Sequence, residues 1–546
     1  SVGFKLILLS FTGATMDVHS LLLLLLCAAA ASPTASSEAP STGVNAMLII
    51  IVIAMAVITG FAVVLMIVKF GHPDDKNVAK FPKIVTFLGL WLAFASVLII
   101  PYDVANSRGQ GGGLDVSLLW MILYITLAII CFGLIPYAFF FYESDPDPNR
   151  DKSKCCGSQA GSALGYATAF MVIIILVLVI LFAAFNEAEV PVKQITQIVK
   201  PGQRLISVAA LNNGTAVLPK ACPETECLTK DFIWTINISF PVCVMATLAL
   251  LGWFFFTFFV GVGLVALPVD LINEFRTRPK SISTKTWIEE KRDLAKRAGK
   301  LIEIGQGFQK ALESTDASRK ERKKLSKTLR QFEQNYYFLK KDYKYLEISH
   351  RYKGGNTLWY VFKLFLGIIG IAVSLTWIVH ICLFILPSTP VHPFLNNYFT
   401  ALEFPGFPLF GVCAFGTWSY YLMWACIKGN FKLGVRFLFW KIYPMEINNT
   451  MMNSFLFNTF IVLLCSVPTV QFCARAFPVY ARYTDVNMLF GTQVQYMKGV
   501  SIFWEYNVFV IAMVVVSGLT GLFLFLKPND EAARIEFEIA KTVDDY

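Results

Sequence analysis

The stretch MLIIIVIAMAVITGFAVVLMIV, Met47–Val68, decides the fold, because its 22 residues include no charged side chain. At about 1.5 Å of rise per residue, a helix of that length crosses a hydrocarbon core roughly 30 Å thick. Lipid offers the backbone no hydrogen-bond partners, so such a run enters it as an α-helix. Working outward, apolar windows bounded by Pro, Gly or ionisable residues give further spans at 84–101, 117–141, 162–185, 239–266, 359–385, 408–427, 452–474 and 506–526. The chain of 546 residues is 56% hydrophobic and 15% charged, more apolar surface than a soluble fold of that size covers. These features predict an all-α polytopic membrane protein with nine transmembrane helices.

Nine spans put the termini on opposite sides. The loops 69–83, 143–160, 267–358 and 428–446 hold 33 Lys and Arg, against nine in 102–115, 186–237, 386–407 and 475–505. Positive loops stay in the cytosol, which places the N-terminus outside and the C-terminus inside. The net charge of +10 follows this loop distribution, and no nucleic-acid partner is expected. The outer loop 186–237 carries the glycosylation sequons Asn213-Gly-Thr215 and Asn237-Ile-Ser239, with Asn213 the better acceptor. It also carries Cys222 and Cys227, expected to form a disulfide across a turn at Pro223. A further sequon, Asn448-Asn-Thr450, falls on the cytosolic side and is expected to stay unused.

Residues 1–43 read as a leader: from Met16, the run Leu21–Leu26 and the small residues after it resemble a signal peptide cleaved before Ser32, followed by a flexible tail. Residues 44–266 hold spans one to five, 359–527 spans six to nine, and 528–546 a cytosolic tail. Between them, 267–358 holds 22 basic residues with acids interspersed. Trp287, Leu294, Leu301 and Phe308 recur at heptad spacing with Ala298 and Leu312 between them; so do Leu325, Phe332, Leu339 and Leu346, with Leu329, Tyr336 and Tyr343. This predicts a cytosolic antiparallel coiled-coil hairpin over 285–348. Its basic face either attracts anionic lipid or a cytosolic protein partner, or is a solvated exterior.

Polar residues at or within the spans are the candidate site. Asp103 and Asp270 follow Pro101 and Pro268 at opposite membrane faces; they either line a polar path or stop and cap a helix. Pro136 either kinks the third span beside a cavity or is tolerated by packing. His380 serves as a proton relay or ligand contact, or makes an interhelical hydrogen bond. Asn458, with Asn453, Ser454 and Gln471, forms a cavity wall or joins helices. Asp74 and Asp75 beside Pro73 read as a helix start whose acids complement the dipole. Cys155 and Cys156 are palmitoylation candidates. No phosphate-binding glycine loop, zinc-spaced cluster or nucleophile elbow is present, so no enzyme, cofactor or metal is expected.

His72-Pro-Asp-Asp75, Phe81-Pro-Lys83, Ile100-Pro-Tyr-Asp-Val-Ala-Asn106 and Ile135-Pro-Tyr-Ala-Phe-Phe-Phe-Tyr-Glu143 occur in order. Leu267-Pro-Val-Asp-Leu271, Arg278-Pro-Lys280, Met452-Asn-Ser-Phe-Leu-Phe-Asn458 and Gln471-Phe-Cys473 follow. Together they closely resemble the limb-region family of membrane proteins over roughly 45–527, most of all its plant and protist branch. That family includes the lipocalin-interacting membrane receptor and a lysosomal protein implicated in cobalamin export. The resemblance implies nine spans, a long cytosolic loop and a receptor or transporter handling a small lipophilic or cofactor-like ligand. It implies an endomembrane, lysosome-like or vacuole-like, or the plasma membrane as location, and transfers no ligand-binding residues. The alternative is a membrane-anchored signalling or trafficking adaptor whose hairpin docks soluble partners.

Overall fold

The computed structural model describes residues 46–72, 75, 79–107, 115–144, 159–197, 227–313, 319–403, 409–437 and 440–526. The chain opens with α1 (Ala46–Phe70), α2 (Lys80–Ser107), α3 (Val116–Glu143, with a π-helical turn at Ile130–Leu134) and α4 (Gln159–Ala184). A two-stranded antiparallel ribbon, β1 (Glu187–Gln197) and β2 (Cys227–Asn237), leads into α5 (Phe240–Arg276). Two helices follow, α6 (Thr284–Glu313) and α7 (Arg319–Arg351). After them come α8 (Thr357–Ile385, ending in a π-helical turn), α9 (Phe394–Leu402) and α10 (Leu409–Leu433). The small ribbon β3 (Val435–Phe437) and β4 (Trp440–Ile442) precedes α11 (Met452–Ala476), α12 (Asp485–Met488), α13 (Ser501–Glu505) and α14 (Val508–Leu526).

Among the described residues, eight helices are long and apolar enough to cross a membrane: α1 to α5, α8, α10 and α11. The shorter apolar α14 stands where the ninth span is expected. Burial sorts them. The most apolar window of α11 is 89% buried and that of α4 only 11%, so α11 is the hub of the bundle and α4 faces lipid on nearly all sides. Lipid drives no apolar packing between helices, so close approach depends on small residues. Gly263 of α5 and Gly429 of α10 show this: an added Cβ would lie 1.7 Å from the Ala425 oxygen and 1.8 Å from the Phe259 oxygen, respectively.

Two expected helix ends are corrected. α2 runs through Pro101 to Ser107 and α5 through Pro268 to Arg276, so Asp103 and Asp270 do not stop their own helices. Each proline forfeits one backbone hydrogen bond, but both carboxylates are held by neighbouring elements, and the helix continues at little further cost.

α6 and α7 lie antiparallel outside the bundle. Trp287 stacks on His350 at 4.7 Å, Arg297 pairs with Asp342 at 3.4 Å, and Gly305 faces Phe332. On α6, the expected Trp287, Leu294, Ala298 and Leu301 are half-buried. On α7 the expected seam is corrected in part: Leu346 is buried as expected, but Tyr336 and Tyr343 are 56% and 46% exposed, and Asn335, Phe338 and Ser349 are buried beside it. The stripe turns because α7 meets a second neighbour. Leu346 and Ser349 line a cleft of about 450 Å³ against the α5–α6 connection at Thr277–Ile282.

On the opposite face, the β1–β2 ribbon is clasped by the segment before α13. Glu189 N–H donates to the Tyr496 carbonyl at 3.0 Å, and Lys498 reaches Glu187 and Glu189 at 3.0 and 3.1 Å. The sequence reading left 186–237 as loop. Asn213, Cys222, Cys155, Cys156, Asp74 and the segments 1–43 and 528–546 lie outside the described residues.

Candidate functional site

Both acidic candidates are held by neighbouring elements. Asp103 is 1% exposed. Its carboxylate accepts from the Trp120 indole at 2.9 Å and from the backbone N–H groups of Val486 at 2.9 Å and Asp485 at 3.1 Å. It thus ties α2 to α3 and meets the first turn of α12, where unpaired N–H groups favour an anion. Asp75 repeats the device at the hairpin face: it accepts from the Tyr142 hydroxyl at 2.9 Å and from Met452 N–H, at the start of α11, at 3.1 Å. The acid of the His72–Asp75 turn therefore complements a helix far along the chain. Asp270 pairs with Lys428 at 2.9 Å and Lys432 at 2.5 Å, joining α5 to α10.

Pro136, half-buried, directly follows the π-helical turn of α3. Such turns widen the helix, and they occur often at functional sites. A second π turn begins just after His380. That imidazole is fully buried, with Nε2 2.8 Å from the Ala476 carbonyl. A carbonyl only accepts, so Nε2 carries the proton and Nδ1 presents a lone pair. The ring stacks between Phe384 at 5.1 Å and Phe477 at 5.2 Å, and Nδ1 meets no partner. At the other end of α11, Asn458 Nδ2 donates to the Tyr443 and Ser454 carbonyls, both at 2.8 Å, while its Oδ1 is unmet.

His380 and Asn458 are linked by a seam that sequence reasoning missed. Along the antiparallel pair α10 and α11, Ser419 neighbours Cys473, Thr469 Oγ1 reaches Met423 Sδ at 3.8 Å, and Cys426 neighbours Cys465. Stepping by three and four residues, this register carries Asn430 to the level of 461–462, one turn from Asn458. Asn430 is fully buried with neither side-chain polar atom paired, and Thr459 Oγ1 is also unmet. Buried polar groups are normally paired, so a run of unmet donors and acceptors along the hub helix marks a place able to receive hydrogen bonds. The sequence signal was the set Ser419, Met423, Cys426 and Asn430, spaced on one helical face; read singly, each passed for packing. Asp103, Asp270 and Pro136 share no bonding partner with this seam, so the five cavity candidates do not converge on one site.

Lys363 was also missed. Lying within the span 359–385, it is 3% exposed and pairs with Glu274 of α5. Among the described residues no group of three or more metal-ligating side chains gathers.

A lipid-facing helical bundle with a buried polar seam and an external basic hairpin defines a polytopic membrane protein. The family model of LMBR1-like membrane proteins matches residues 47–352 and 277–521, and the chain belongs to that family. A LIMR family protein of Dictyostelium discoideum is 34% identical over 518 residues, covering 90% of this chain and 99% of its own length. LIMR family proteins of Arabidopsis thaliana and Oryza sativa are 35% and 33% identical, over 88% and 87% of this chain and 96% and 95% of their own lengths. No solved structure matches.

Proposed function

We propose that this chain is a receptor or transporter for a small lipophilic or cofactor-like ligand, held along the α10–α11 seam between His380 and Asn458. The carrying observation is the set of unmet polar atoms on the hub helix, its partner α10 and the neighbouring α8: Asn458 Oδ1 and Thr459 Oγ1, Asn430, and His380 Nδ1. An anchor needs no such groups, each of which costs about 1–3 kcal/mol when left unpaired. In this reading the bundle crosses the bilayer nine times with α14 as the last span, the hairpin lies in the cytosol, and no catalysis is involved. The membrane is the plasma membrane or an endomembrane of lysosomal or vacuolar kind.

A second reading, an adaptor, is favoured by the hairpin. It exposes Ile302, Tyr336 and Tyr343 beside the cleft lined by Arg278, Arg297 and Asp342, a surface suited to a soluble protein partner. Flux of lipophiles and cofactors into vesicles carrying the full chain separates the two. The transporter reading expects wild-type flux that falls at least about tenfold, roughly one lost buried hydrogen bond to the ligand, in His380→Leu and Asn458→Leu. Absence of wild-type flux for every lipophile tried, with partner recovery lost on hairpin disruption, sinks it.

A further inference from the structure

At the hairpin face, three helices of the bundle bring lysines to one place, beside two carboxylates of a fourth. Lys428 and Lys432 of α10 straddle Asp270 of α5, and Lys363 of α8 pairs with Glu274, one turn further along α5. Lys69, in the last turn of α1, lies within Coulombic reach of Glu274, Lys363, Lys428 and, from the hairpin, Lys341. Among the described residues no hydrogen bond or ion pair reaches the Lys69 ammonium; its near contact is the Phe70 ring at 5.8 Å. Among the described residues, four bundle ammoniums thus face two carboxylates, and Lys341 adds a fifth positive charge. An excess of positive charge at a partly buried site is costly. A dianion would remove that cost.

We propose that Lys69, Lys363, Lys428 and Lys432 form a binding site for a phosphate monoester. The surroundings favour a lipid headgroup as its carrier. Trp359 and Tyr360 lie 5.7 and 5.9 Å from the Lys363 ammonium, and such aromatics mark the headgroup level of a bilayer. On the membrane side of Lys69 in α1, Val64 and Val68, and on the membrane side of Lys363 in α8, Phe365, are exposed apolar side chains, surfaces along which acyl chains can lie. From the aqueous side, Tyr345 of α7 stands beside Tyr360, so the hairpin borders the site. Occupancy therefore bears on how the hairpin is seated. The α10–α11 seam has no part in this site.

The test uses the full chain in nanodiscs of phosphatidylcholine alone, with phosphatidic acid, or with phosphatidylglycerol, a singly charged diester. Native mass spectrometry reads bound lipid and thermal melting reads stability. Wild type is expected to retain phosphatidic acid in preference to phosphatidylglycerol and to melt higher with it. Lys69→Met breaks no ion pair and should weaken retention about fivefold; Lys69→Arg should restore it, and Lys498→Met on the opposite face should change nothing. Soluble glycerol 3-phosphate separates the sources: if it protects as well as the lipid, the site takes a free phosphate; if it does not, the lipid is the carrier. Equal retention of both anionic lipids, or phosphatidic acid binding unchanged in Lys69→Met, overturns the proposal. Should Lys69→Met not fold in phosphatidylcholine, the lipid preference of the wild type and the Lys69→Arg variant decide by the same outcomes.

Discussion

Asp103 holds three donors on two oxygens, two of them backbone N–H groups of another element. Asp103→Asn keeps a single acceptor oxygen and turns an amide N–H₂ toward groups that can only donate. With charge-assisted bonds contributing about 1.5–3 kcal/mol, the variant is expected to lose about 2–3 kcal/mol, read as a clear drop in melting temperature in detergent. Asp103→Glu should lose nearly as much, since the longer arm misplaces both oxygens. A ligand-path role predicts the contrary, unchanged melting with altered flux. That Asp103 caps a helix was legible in the sequence as one of two readings. Which helix was not, because the donors lie at Asp485 and Val486, far along the chain. Lys363 was legible and overlooked: an ammonium inside an otherwise apolar span demands a partner, and Glu274 supplies it.

Helices were the most legible elements, because uncharged length alone specifies them; their ends were less so, since Pro101 and Pro268 read as stops until the neighbours that satisfy the following turns are seen. The β1–β2 ribbon stayed hidden because Glu187–Gln197 and Cys227–Asn237 pair across a long insertion and alternate weakly. The hairpin helices followed from heptad spacing, but the inner face of α7 did so only at Leu346. Heptads describe a two-helix seam, and α7 packs on the bundle base as well. Phe338→Asp with Ser349→Asp therefore puts charge on buried positions outside the heptad series and should abolish slow amide exchange over α6 and α7 in the full chain. Tyr336→Asp with Tyr343→Asp, at exposed positions, should leave exchange within about twofold, as surface substitutions usually change stability by less than about 0.5 kcal/mol. The opposite ranking would restore the heptad seam.

The whole molecule is organised about one axis: α11 at the centre, the basic hairpin and lysine cluster at one face, the β-ribbon at the other. On that layout the proposed orientation turns: the hairpin face in the cytosol and the ribbon outside, which the 33 basic residues against nine in the opposing loops favour. The expected non-use of the sequon at Asn448 has a local basis as well. Its N–H donates to the Lys69 carbonyl at 3.1 Å, and Thr450 is 1% exposed and bonded to Glu446, leaving the sequon built into the end of α1. The deciding measurement is the glycan position in the chain expressed in its own membranes, read by enzymatic deglycosylation and gel mobility. The expected result is a shift that Asn213→Gln removes in large part and Asn448→Gln leaves intact; a glycan on Asn448 would invert the molecule and overturn the proposed orientation.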